Sequence, residues 1–157
     1  MPRLHETIET SLPIDEAFAF VADFANNATW DPNSATSVRI GDDAAAGGPV
    51  GVGTRYALSV RQGSTFVPME YRVTVWEPGR RVVLEGVSAS VRATDDIRFD
   101  ATPTGTRVDY TADISLTGIM RLATLFAGGA FAKIAKGAAD GMHRELEARA
   151  KAAGAGR

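Results

Sequence analysis

From Tyr56 to Leu116 the chain holds one rhythm, and after Gly118 it drops that rhythm for another. Tyr56, Leu58 and Val60 alternate with Arg55, Ser59 and Arg61. Met69, Tyr71, Val73 and Val75 alternate with Glu70, Arg72 and Thr74. Val82 and Leu84, then Ile97 and Phe99, then Val108, Tyr110, Ala112, Ile114 and Leu116 continue the pattern. A period of two over short runs means strands with one dry and one wet face. WEPGR (76–80) and ATPTGTR (101–107) supply hairpin turns between the runs. Over residues 118–152 the spacing changes to three and four, through Ile119, Leu122, Phe126, Ala130, Ile134, Ala138, Met142 and Leu146. That is the stripe of one long amphipathic helix. The tail KAAGAGR (151–157) is expected to fray. A sheet with one dry face needs a cover, and this helix is the element long enough to supply it.

The segment before the alternation is less regular. Residues 3–12 read as a first strand, with Leu4, Ile8 and Leu12 on one parity. Pro13 then precedes Ile14-Asp15-Glu16, an acidic opening that suits a helix first turn. Ala17, Phe18, Phe20, Val21 and Phe24 continue it at helical spacing until Asn26, Asn27 and Pro32 break it. Ser37–Ile40 reads as a short strand, and GDDAAAGGPVGVG (41–53) as a flexible loop. The expected class is α+β: about six to seven antiparallel strands, two short helices after the first strand and one long C-terminal helix. The 157 residues carry no internal repeat or linker, and a single domain over 1–157 is the expectation.

Composition closes off several functions. The net charge is -2, without a basic excess or a run of like charge, so no nucleic-acid partner is expected. Cysteine is absent and the two histidines are far apart, so no metal site is expected. The stretch LATLFAGGAFA (122–132) is too short to span a bilayer as a helix, which takes about 20 residues. MPRLHETIET has no apolar signal-peptide core, and a cytoplasmic protein, monomer or homodimer, is the expectation.

DFANNATWDP (23–32), GVGTRY (51–56), WEPGRRVVLEG (76–86) and GTRVDYTADI (105–114) occur in that order before the final helix. In order and spacing the chain resembles the START-like, Bet v 1-like superfamily (SRPBCC), and within it the bacterial polyketide cyclase/dehydrase group, over residues 3–150. The resemblance implies a helix-grip fold, with an internal cavity between sheet and C-terminal helix that takes hydrophobic small molecules. Members include cyclases, lipid or quinone carriers, sensors and chaperone cofactors.

Candidate site residues follow from the dry faces. Tyr56, Leu58, Tyr71, Val73, Leu84, Phe99 and Tyr110 share the inward parity of their strands, and Phe126, Ala130 and Ile134 lie on the apolar stripe of the helix. Each tyrosine hydroxyl needs a partner when buried, so the three tyrosines either orient a ligand hydroxyl or carbonyl, or reach the sheet rim or a water. Glu6 and Asp95 have inward parity on strands, as weak candidates for an acid or base; the alternative puts both in water at strand ends. Trp30 lines the mouth of the cavity, under a flap of short helices, or anchors those helices to the sheet, and the two roles are compatible. Gly128, Gly129, Gly137 and Gly141 each cost about 1 kcal/mol in a helix relative to alanine; they leave room for a ligand, allow close packing of helix on sheet, or mark a break near Gly128-Gly129. His5 and His143 are expected on the surface. No Ser-His-Asp order and no phosphate loop is present, and no cofactor is expected. Three functions remain open: a carrier of a polyketide, lipid, quinone or aromatic metabolite; a cyclase or dehydratase acting by positioning and acid-base help; and a protein-interaction module.

Overall fold

The computed structural model describes residues 3–45, 47–118 and 128–156. Strand β1 (Arg3–Thr10) leads into α1 (Ile14–Val21), a 3-10 turn (Phe24–Asn26) and α2 (Asn27–Trp30). Strand β2 (Ser34–Ile40) and the short helix α3 (Asp42–Ala45) follow. Then come β3 (Arg55–Gln62), β4 (Thr65–Glu77), β5 (Arg81–Val87), β6 (Val91–Thr102), β7 (Gly105–Leu116) and the long helix α4 (Gly128–Ala155). The loop expected over 41–53 thus holds one helical turn, and α4 continues through Lys151–Ala155. Ile119, Leu122 and Phe126 lie outside the described residues, so α4 is described from Gly128 and not from 118.

All seven strands form one antiparallel sheet in the order β1-β7-β6-β5-β4-β3-β2. Consecutive strands pair from β2 through β7, as hairpin signals require. Only β1 is out of sequence: it pairs with β7, and the segment 14–32 carries the chain to the opposite edge. With α4 laid on the concave face against β1 and α2, this is a helix-grip fold.

One period-two assignment slips. The β4–β5 register shifts between Val73 and Val75, so that Trp76, opposite Val82, is the inward residue. A bulge moves every later side chain of its strand to the other face. Val75 therefore leaves the inner parity, and Trp76 packs edge-on against Phe18 at 4.9 Å.

Three aromatic residues from the crossover segment fill much of the concave face. Phe18 stacks edge-on with Phe99 at 5.1 Å. Phe24 meets Trp30, Tyr56 and Tyr71 at 6.1, 6.3 and 5.4 Å. Trp30 is wholly buried and also meets Tyr110 edge-on. Trp30 is thus the anchor of the short helices and not a mouth residue.

The helix glycines explain how that anchor seats. A Cβ on Gly141 would lie 1.8 Å from the Trp30 carbonyl oxygen, and one on Gly137 would lie 3.4 Å from Pro32 Cγ. The glycine at 141 is a notch for backbone, and neither glycine opens cavity space. Helix propensity alone favours alanine at both positions by about 1 kcal/mol. Gly137→Ala is expected to leave the thermal midpoint unchanged or slightly raised. Gly141→Ala is expected to lower stability by about 1–3 kcal/mol through overpacking, a drop of several degrees in a thermal melt.

Candidate functional site

Beyond the aromatic plug the concave face stays open. A cavity of about 260 Å³ lies between the sheet and the N-terminal half of α4. Its helix wall is Ala130, Phe131, Ile134, Ala135 and Ala138. The small side chains here do leave room, as those of Ala93 and Ala112 do on the sheet side. Met69, Val91, Ile114 and Leu116 complete an apolar lining. Among the described wall residues, Arg61, Gly63 and Ala130 are exposed and mark its outer rim. There the β3–β4 and β5–β6 hairpins are tied by Gln62 Nε2 donating to Ser90 Oγ at 3.2 Å. Arg61 extends over the Phe66 ring, 4.9 Å from its centre.

The polar groups of the cavity gather around Asp95. This residue stands on β6 opposite Ala112 of β7, one inward position along from Ile97, which faces Tyr110. Diagonal neighbours of this kind are within reach of a long side chain, and the Tyr110 hydroxyl donates to Asp95 Oδ1 at 2.6 Å. The Tyr71 phenol, from β4, lines the same cavity and lowers the pKa of the same carboxyl. Asp95 is only 4% exposed. Burial pushes its pKa up to about 7; the Tyr110 bond opposes that rise, the nearby Asp31 charge adds to it, and Tyr71 opposes it again. Both tyrosines are raised well above their ordinary value, first by burial and then by the Asp95 charge. Both remain protonated.

A second acid, which the sequence did not flag as a site residue, shares this cavity. Asp31 follows α2 in an extended conformation, with φ -97° and ψ 111°, as a residue before proline prefers. Its Oδ1 accepts both the backbone N–H and the side-chain Nδ2 of Asn33 at 2.9 Å. Asn33 Nδ2 also reaches the Ile134 carbonyl of α4 at 3.3 Å. Burial raises the Asp31 pKa, and the Asn33 bonds hold it back in part. The floor therefore carries two carboxyl groups and two phenols. Among the described wall residues the one cation, Arg61, is out at the rim.

The candidate residues separate into two groups. Tyr71, Tyr110, Asp95, Ala130 and Ile134 come together on the cavity wall. Tyr56, Leu58, Val73, Leu84, Phe99 and Trp30 are buried but do not line that cavity; Phe18 packs on Phe99, and Phe24 on Tyr56 and Trp30. The strand residues among them have inward parity, and the crossover aromatics take the space in front of Phe99 and Tyr56. Glu6 sits opposite Tyr110 in register, half-buried and off the cavity wall. Phe126 lies outside the described residues. His5 and His143 are exposed.

A helix-gripped apolar cavity with a polar floor is a recurrent arrangement, and the sequence carries its signature. The model of the family described as polyketide cyclase / dehydrase and lipid transport matches residues 1–150. The chain belongs to this family. Among solved structures it is similar to the ZhuI aromatase/cyclase from Streptomyces sp. R1128, with a TM-score of 0.74 and 16% identity over 98% of each chain. It is similar to the di-domain aromatase/cyclase StfQ of the steffimycin biosynthetic pathway, with a TM-score of 0.69 and 12% identity, over 95% of this chain and 51% of that one. A hypothetical protein from Helicobacter pylori has a TM-score of 0.72 at 11% identity, over 93% of this chain and 88% of the other. No curated protein matches the sequence. At such identities the neighbours establish the fold. Among the described residues of this family member, no helix is long and apolar enough to cross a membrane.

The raised Asp95 carboxyl has a consequence for stability. A carboxyl whose pKa is higher folded than unfolded holds its proton more tightly in the folded state. Stability is then greatest below the unfolded value near 3.8, falls as pH rises from there to about 7, and levels off above. Over that window the loss is on the order of 4 kcal/mol. Asp95→Asn removes the titration. Its thermal midpoint, measured against the parent protein, is expected to gain by roughly 10 °C between pH 4 and pH 8. A gap that does not change with pH would show that Asp95 titrates as it does in the unfolded chain.

Proposed function

We propose that the cavity binds a small, compact, mostly apolar molecule with a hydroxyl or carbonyl group at its inner end. A polyketide-derived or other aromatic metabolite, or a quinone, has this character. The observation that carries the reading is the pairing of an apolar wall with one polar cluster, Tyr71, Tyr110 and Asp95, at the floor of the same cavity. Ligand pockets have this composition, with few polar groups that fix orientation. The volume, about 260 Å³, lies just below the usual range for such sites and favours a ring system over a long acyl chain. Family membership supports the general role.

A second reading, a cyclase or dehydratase, is favoured by the Asp95 carboxyl. A group poised near pH 7 and facing an apolar cavity is suited to give or take a proton. Tyr110 and Tyr71 would steady a developing oxyanion beside it, and a closed cavity would hold a flexible chain near its reacting geometry.

Native mass spectrometry of freshly purified protein, followed by extraction under denaturing conditions, tests the carrier reading. A compact aromatic or quinone adduct is expected. Ala112→Phe, which fills the cavity from β7, is expected to abolish the adduct and to weaken any extracted ligand by at least about tenfold. An adduct that survives this substitution places the ligand elsewhere. For the second reading, Asp95→Asn is expected to keep ligand affinity within a few-fold while turnover of a cyclisable substrate is lost.

A further inference from the structure

Tyr71 starts on β4 and Asp95 stands on β6, with β5 between them. A tyrosine can cross that strand only if nothing projects from it. The β5 residue directly opposite Tyr71 is Gly86, which is in turn opposite Ala93 on β6. A Cβ built on Gly86 would lie 2.5 Å from Tyr71 Cζ and 2.6 and 2.9 Å from the two ring carbons beside it. These contacts are far inside van der Waals range, so the phenol lies flat on the bare backbone of β5. The Phe24 ring, with its centre 5.4 Å from that of Tyr71, packs against the same phenol. Glycine weakens a strand interior and gives it no packing of its own; a close approach is a usual reason for its presence.

We infer that Gly86 is a positioning residue for the cavity floor: it opens the lane across β5 through which Tyr71 reaches Asp95, and so sets the pocket's preference for ligands that carry an oxygen group. The part concerning preference rests on the ligand-binding reading; the positioning of Tyr71 does not. Any side chain at 86 lifts the phenol off β5 and away from Asp95, whose bond from Tyr110 remains. A pocket altered in this way keeps its apolar wall and loses one of the two phenols on its floor.

The Asp95 carboxyl reports this directly. The groups facing it are Tyr110 from β7, Tyr71 from β4 and Asp31 after α2. Among the described residues, Arg61 of β3 is at the rim, and the α4 and β1 walls contribute only apolar side chains. Carboxyl-detected NMR titration of Asp95 is the experiment, on the whole protein and on Tyr71→Phe, Gly86→Ala and the double variant. Loss of a donor to the carboxylate raises its pKa. Tyr71→Phe and Gly86→Ala are each expected to shift the Asp95 midpoint upward by similar amounts, and Gly86→Ala is expected to add nothing in the Tyr71→Phe background. An unmoved midpoint in Gly86→Ala overturns the inference, as does a shift of full size that persists without the Tyr71 hydroxyl. If Gly86→Ala does not fold, Tyr71→Ala is added. Recovered folding supports the inference, and failure of this double variant where Tyr71→Ala alone folds overturns it.

The same proteins are titrated with 2-naphthol and naphthalene as probes. The parent is expected to favour 2-naphthol by up to about tenfold, the worth of one net hydrogen bond, and Gly86→Ala to narrow that ratio. Equal narrowing by Tyr71→Phe supports the inference; an unchanged ratio in Gly86→Ala overturns its preference part. If neither probe binds any of the proteins, the ligand-binding reading fails and the preference part falls with it. The Asp95 titration still decides the role of Gly86.

Discussion

A concave sheet of seven strands exposes more apolar surface than one helix can cover, and the rest of the molecule follows from that shortfall. The helix α4 crosses the face once. What it leaves open must be filled by other side chains or left empty. The crossover from β1 to β2 meets part of this demand by inserting Phe18, Phe24 and Trp30. The rest remains as the cavity under the N-terminal half of α4. Cavity and plug are two answers to one geometric problem.

The join between them is the run Trp30-Asp31-Pro32. Trp30 closes the plug, and its carbonyl seats in the Gly141 notch of α4. Asp31 faces the cavity, and proline holds it extended. Asn33 then ties the Asp31 carboxyl to the backbone of α4. Within four residues the chain moves from packing to cavity-facing polar groups. Electrostatics add to this, because Asp31 raises the pKa of Asp95 across the same small space.

The fold was legible because period-two runs, hairpin turns and a final amphipathic stripe admit few arrangements. The inward parity of Tyr71, Tyr110 and Asp95 could be read for the same reason. Periodicity tells which way a side chain points and not what stands in front of it. Tyr56, Leu58, Val73, Leu84 and Phe99 have the same parity yet do not line the cavity, and Phe24 and Phe18 occupy the space before Tyr56 and Phe99. Asp31 escaped notice because it belongs to no periodic element, and its carboxyl matters only once the chain has turned back beneath α4. Gly86 escaped because a strand glycine acquires meaning from the residue across from it, and pairing register is not written in a single strand. At Val75 a bulge reversed the parity altogether.

The division of the concave face into a packed half and an open half also bears on how such a protein can change. The plug and the C-terminal half of α4, with Met142 and Leu146, are the densely buried part. The cavity wall is built largely from other positions, many of them alanine, valine and isoleucine on strand ends and on the first turns of α4. Substitutions there alter what the pocket accepts while leaving the plug intact. A lineage can thus explore new ligands without first losing its fold. The architecture is shared at 11–16% identity with the aromatase/cyclases and the Helicobacter pylori protein.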